Sequence, residues 1–240
     1  EYLFLATESI ETAEVHMIYL KHVNGAEGHR HAASQQKVIQ SKIPKLRYSI
    51  EHHESYFYLL TNLDECLNSK LMRVPVSSSD LSSSQWKEVT PYAETRELSH
   101  MLAFKTGLVI FGRENGSQKI WRLLAASAES GGGGSGSGTR GDSAALDSSV
   151  ATLDGSMIFI NSANDIPCPH PQWSEIVFPE ACYSVRSRNN VRYDTPVVRV
   201  DYSSFVTPKS TIDINFHTNE QTVLKRKEVP NYLPENYTVR

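Results

Sequence analysis

An all-β chain made of repeated antiparallel sheets is predicted by three features of the sequence. Apolar runs of strand length recur, polar turns separate them, and the pairing returns about every fifty residues. Self-similarity at roughly 40 to 50 residues, built from short antiparallel strands, is the mark of a β-propeller blade. No segment outside the turns sustains apolar residues at i, i+3 and i+4 over three turns, which removes a helical bundle.

The elements follow in order. EYLFLATES and VHMIYL, joined by the polar SIETAE, read as a hairpin. The same grammar returns in YFYLLTNLDECLNSKLMRVPV, in GLVIFGRENGSQKIWRLL and in VVRVDYSSFVTPKSTIDINFHTNEQTVLKR. Anchored at Phe4, Tyr58, Val109 and Val200, the copies are spaced by 54, 51 and 91 residues. The last interval is nearly double and contains GGGGSGSGTRGDS (Gly131 to Ser143) and one more candidate strand, SMIFINS. The expected architecture is a partial β-propeller over residues 1–240, about four blades of four-stranded antiparallel sheet. A low-complexity segment at 127–175 is inserted within it. A Gly/Ser tract has few side chains to bury and maximal backbone entropy to lose, so it is expected to be a mobile loop with Arg140 open to trypsin.

Composition excludes several function classes. The 240 residues carry 24 Lys plus Arg against 27 Asp plus Glu, a net charge of -3, so there is no basic excess for nucleic acid. Runs such as GLVIFG fall far short of the roughly 18 apolar residues of a membrane helix, and no leader pattern opens the chain, which reads as soluble. Cys66, Cys168 and Cys182 are odd in number and far apart, which argues for a reducing compartment, the cytoplasm. The chain opens on Glu1-Tyr2-Leu3 without an initiator methionine and is expected to be processed or partial.

No motif here carries catalytic, cofactor or metal chemistry. Gly136, Gly138 and Gly141 match G-x-G-x-x-G but lack the preceding strand and following helix that a dinucleotide site needs. Arg140-Gly141-Asp142 is three common residues in a flexible run. His29, His31, His52 and His53 lack further ligands at metal spacing. Ser143, Asp142 and His170 have nothing to fix a triad geometry. The run Ser77 to Ser84 reads as a solvated loop. Asn115-Gly-Ser117 and Asn236-Tyr-Thr238 satisfy the N-glycosylation pattern but would stay unmodified in the cytoplasm. Tyr56, Phe57, Tyr58, Trp121 and Tyr202 are expected in the core.

Three blocks carry a family resemblance: RYSIEHHESYFYLLTN (47–62), SKLMRVPV with WKEVTPY (69–76 and 86–92), and the C-terminal stretch from Val198 to Arg240. They resemble the later propeller blades of the oligopeptidase B branch of the prolyl oligopeptidase family of serine peptidases. YSSFVTP is similar to the family's Tyr-Ser-Ser-x-x-Thr-Pro, and LKRKEVPNY to its Leu-Lys-x-x-Glu-Val-Pro. The similarity covers about residues 1–125 and 176–240. Asn231 and Asp201 stand where many relatives have Gly.

The resemblance implies a propeller joined to an α/β-hydrolase domain bearing Ser, Asp and His. None of that triad is matched here, and Gly133-Gly134-Ser135-Gly136-Ser137 fails the G-x-S-x-G pattern at its fifth position. The expected partners are therefore the hydrolase domain, the remaining blades and, in the complete enzyme, short peptides. The propeller would act as a size filter. A non-catalytic propeller that binds a protein through its loops is the alternative, and an in-frame G-x-S-x-G elbow downstream of Arg240 would discriminate.

Overall fold

The computed structural model describes residues 2–20, 36–125, 150–153, 156–159, 165–166 and 173–237. Strands dominate them, with short 3-10 turns at Leu63–Glu65, Ser83–Gln85 and Pro234–Asn236. The chain divides into two compact units, Glu1–His100 and Met101–Arg240.

In the first unit, β1 (Tyr2–Glu8), β2 (Ala13–Tyr19) and β3 (Lys37–Gln40) form a three-stranded antiparallel sheet. Next come β4 (Tyr48–His53), β5 (Tyr56–Thr61), β6 (Lys70–Pro75) and β7 (Lys87–Glu88), a four-stranded meander paired in sequence order. All six residues of β5 are buried, which is why YFYLLT is continuous rather than alternating: the strand is covered on both faces. Val15, Ile39, Tyr48, Phe57, Leu59, Met72, Val74 and Trp86 form one core between the two sheets, with Tyr2 and Phe4 packed against it. Tyr48 ties the sheets polarly as well, its hydroxyl accepting from Val15 N at 2.8 Å and donating to Gln40 O at 3.0 Å.

The second unit holds β9 (Gly107–Glu114), β10 (Ser117–Leu124) and β13 (Trp173–Glu175), in a sheet whose outer strand β8 (Arg96–Phe104) begins in the preceding unit. It also holds β14 (Tyr183–Ser187), β15 (Val197–Ser204), β16 (Ser210–Asn215) and β17 (Gln221–Arg226), again in sequence order. Val109, Phe111, Ile120, Ile176, Val185, Val198, Val200, Ile212, Ile214 and Phe216 fill one core between these sheets. Asn115 (φ 49°) and Gly116 (φ 79°) make the two-residue turn between β9 and β10, where both central residues need positive φ.

The expected all-β array is thus present as one three-stranded and three four-stranded sheets. The first sheet aligns with strands two to four of the others, because Phe4 lies on β1 while Tyr58, Val109 and Val200 lie on β5, β9 and β15. Strands β4, β8 and β14 were not singled out by periodicity. In β8 the buried residues Leu98, Met101 and Phe104 fall every third position, which masks alternation. Between β10 and β13 lie β11 (Val150–Leu153) and β12 (Ser156–Phe159), which among the described residues pair with each other alone. Ser156–Phe159 is the strand expected in SMIFINS. The glycine tract with Arg140, and His29, His31, Asp142, Ser143, Cys168 and His170, lie outside the described residues. Among the described residues no helix is long and apolar enough to cross a membrane.

Candidate functional site

In the last sheet, YSSFVTP forms the end of β15 and the turn into β16. The Tyr202 ring is buried in an aromatic cluster, stacked on Phe178 at 5.0 Å and 14° and lying 5.6 Å from Tyr183. Its hydroxyl emerges at the Glu180 carboxylate and donates to Oε2. Thr207 Oγ1 and, at 3.2 Å, Ser204 Oγ donate to Oε1 of the same group. Three hydroxyls of one motif therefore converge on one carboxylate. Ser204 Oγ in turn accepts from Val206 N at 3.0 Å and Thr207 N at 2.7 Å, closing a Ser turn on the tip.

Charge follows from this geometry. Burial pushes the Glu180 carboxyl up, but the hydrogen bonds from Thr207, Tyr202 and Ser204 outweigh it and leave the group below the ordinary carboxylate value. The Tyr202 phenol is raised, first by burial and then by donating to Glu180. Burial, with the charge of Glu175, pushes Tyr183 up to about 12.

The tip held in this way is apolar. Phe205 is 85% exposed and stands between two clefts. One, of about 460 Å³, is bounded by the Arg113–Gln118 turn, Cys182, Tyr183 and Ser204; the other, of about 340 Å³, by Thr207, Lys209, Val229 and Tyr232. Beyond β17 the chain runs across the same end of the sheet. Lys227 N donates to Lys209 O at 2.9 Å, Tyr232 Oη donates to Val206 O at 2.7 Å, and Tyr237 stacks on Tyr232 at 4.9 Å. Asn231, at φ 58°, occupies the left-handed region that Gly and Asn enter most readily, which explains how it stands in for Gly. Asp201 lies on the polar face of β15, accepting from Thr211 Oγ1 at 3.1 Å with Arg188 and Lys209 each 3.4 Å away.

The other singled-out residues have structural roles. His52 Nε2 lies 2.8 Å from Glu54 O, with its ring 4.9 Å from Tyr2 and 5.5 Å from Phe57. His53 is fully buried and edge-on to Tyr58 at 6.0 Å. Adjacent on β4, the two histidines point to opposite faces and share no site. Among the described residues no group of three His, Cys, Asp or Glu is placed to hold a metal ion. The serine run is organised by Asp80, whose carboxylate accepts from Ser82 N at 2.9 Å and Ser82 Oγ at 3.0 Å, while Trp86 Nε1 donates to Leu81 O at 2.8 Å. Tyr56, Phe57, Tyr58, Trp121 and Tyr202 are buried as expected. Sequence reasoning missed Glu180 and the exposure of Phe205. The cluster of hydroxyls signals a need for an acceptor, but nothing local says that the acceptor lies 22 residues before Tyr202.

Comparison with known proteins bears on this arrangement. The family profile "Prolyl oligopeptidase, N-terminal beta-propeller domain" matches residues 1–227. Protease 2 of Moraxella lacunata is 27% identical over 225 residues, which cover 94% of this chain and 24% of that protein. The chain thus spans about a quarter of the length of this curated relative. Oligopeptidase B from Leishmania major superposes with a TM-score of 0.69 at 22% identity, over 100% of this chain and 28% of that one. Oligopeptidase B from Trypanosoma brucei, in a closed form with covalently bound antipain, gives 0.67 at 21% identity, over 100% and 28% respectively. At these identities the structural likeness establishes the fold.

Proposed function

Since the chain belongs to the N-terminal β-propeller family of prolyl oligopeptidases, we propose that it is the substrate-gating part of a cytoplasmic serine oligopeptidase that hydrolyses short peptides after basic residues. The observation that carries this reading is the family match through residue 227, across every sheet described here. The Ser, Asp and His of the chemistry belong, in this reading, to an α/β-hydrolase domain rather than to this chain. The hydroxyl cluster of YSSFVTP supports that division, because its donors are committed to Glu180. Within each unit two sheets close on one apolar core, and close-packed cores of this kind suit a part that selects substrates by size while the following domain does the acyl transfer. The free thiols of Cys66 and Cys182 support a reducing compartment.

Acyl transfer needs a nucleophile within reach of a base and donors aimed at the oxyanion, and losing such a constellation costs several orders of magnitude. The 240-residue chain is therefore expected to turn over no short amide ending in Arg or Lys, and to take no label from an organophosphonate. The complete gene product is expected to cleave such amides and to leave folded proteins intact. Stoichiometric labelling of a serine in this chain, with activity lost in the corresponding Ser→Ala variant, would refute the proposal.

A further inference from the structure

Exposure of Phe205 does not come from a frayed loop. The turn that carries it is fixed on both sides, through Glu180 to Tyr202, Ser204 and Thr207, through Ser204 Oγ to the two amides after Phe205, and through Tyr232 to Val206 O. A locked backbone that holds a large aromatic ring in water spends hydrophobic surface that folding alone would bury. An aromatic side chain on a preorganised tip, flanked by recesses, is the form that binding hot spots take, because little entropy remains to be lost on docking.

The occupant is indicated by the course of the chain. β17 ends at Arg226 on this end of its sheet, opposite Ser210, and residues 227–237 stay there, bringing the exposed Val229, Leu233 and Tyr237 beside the tip. A polypeptide leaving through this segment emerges at Phe205. Resting on the reading above, we propose that Phe205 anchors this end of the last sheet to the domain that follows in the same polypeptide, inserting into an apolar recess of that domain, with the two flanking clefts receiving its side chains. Val191, 90% exposed between β14 and β15, lies at the other end of those strands and supplies a matched control.

The experiment compares the complete gene product with its F205S and V191S variants. Hydrogen exchange over residues 203–209 and 227–237 is expected to speed at least tenfold in F205S, with kcat/KM for a short Arg-ended amide falling at least fivefold. Both readouts should stay at the wild-type level in V191S. Because Phe205 is exposed, the isolated 240-residue chain should show the same Tm with and without F205S, which separates docking from folding. An active gene product whose F205S variant exchanges and turns over like wild type overturns the anchor alone. A wild-type gene product that is inactive on such amides overturns the oligopeptidase reading, and the anchor with it. A shift from dimer to monomer in F205S, with exchange within each protomer unchanged, would assign the ring to a second copy and also overturn the inference.

Discussion

Glu51 offers the sharpest test of how β4 is built. It lies on β4, opposite Tyr58 of β5, on the strand face that also carries the fully buried His53. Burial pushes its carboxyl from 4.5 to about 7, with no compensating hydrogen bond or cation among the described residues. The folded chain therefore holds a proton that the unfolded chain releases, so stability falls as pH rises from about 4.5 through about 7. A gap of about 2.5 pH units at ~1.36 kcal/mol per unit sets a ceiling of about 3 kcal/mol above pH 8, before relaxation and water entry reduce it. Glu51→Gln removes the titration while keeping the shape. It is expected to raise stability by roughly 1–3 kcal/mol at pH 8 and to change it little at pH 5. Urea unfolding at the two pH values measures this, with the pH 8 midpoint rising by about 1 M for a slope near 2 kcal/mol per M. Equal effects of the substitution at both pH values would refute the reasoning, because they would mean that Glu51 is ionised in the folded chain throughout.

Three further expectations follow from the geometry. Glu180→Ala leaves three hydroxyls without their acceptor and should cost roughly 1–2 kcal/mol in chemical denaturation; because the folded carboxyl sits below its ordinary value, the wild-type contribution is fully present above pH 4.5 and fades as pH falls below it. Gly107→Ala should cost about 3 kcal/mol or more, since a Cβ there would stand 2.2 Å from Leu123 O at a φ of +152°, and calorimetry should show the loss. Asn231→Gly should stay within about 0.5 kcal/mol of wild type, whereas Asn231→Val should cost about 1–2 kcal/mol, because a β-branched residue resists φ 58°; equal stability of the two variants would contradict the turn described here.

The parts of this fold that were legible in the sequence are those whose physics is local. Strands β5 and β9 read as continuous apolar runs because both their faces are covered, and the polar stretch between the GLVIFG and KIWRLL runs read as a turn, which the structure places at Asn115-Gly116. The first strand of each four-stranded sheet was not legible. In β4 a stretch that contains Glu51, His52 and His53 looks polar, yet His53 is fully buried; its place is set by pairing with β5, opposite Tyr56 and edge-on to Tyr58, rather than by alternation. β13 was illegible for a different reason. Three residues, Trp173–Glu175, carry too little pattern to announce that the chain has returned to the sheet it left after Leu124, and only pairing with Trp121–Leu123 defines the strand.

The candidate site shows the same division within one motif. YSSFVTP could be recognised as a block, but its spacing acquires a reason only in three dimensions. Residues 202 and 204 alternate to the same side of β15, and Thr207 comes round the turn to meet them, so all three hydroxyls reach one carboxylate supplied from before β14. Ser203 takes the opposite position in that alternation, and Phe205 follows in the bend just past the end of the strand. For Phe205 the consequence is exposure, because the network that buries its neighbours' polar ends turns its ring outward. The residue most exposed in the motif is thus placed by the residues most constrained in it. A substitution at Glu180 should therefore disturb whatever Phe205 contacts without touching Phe205 itself. Hydrogen exchange at residues 203–209 in Glu180→Gln should rise even though its aromatic tip is intact, and unchanged protection there would separate the carboxylate from the presentation of the ring.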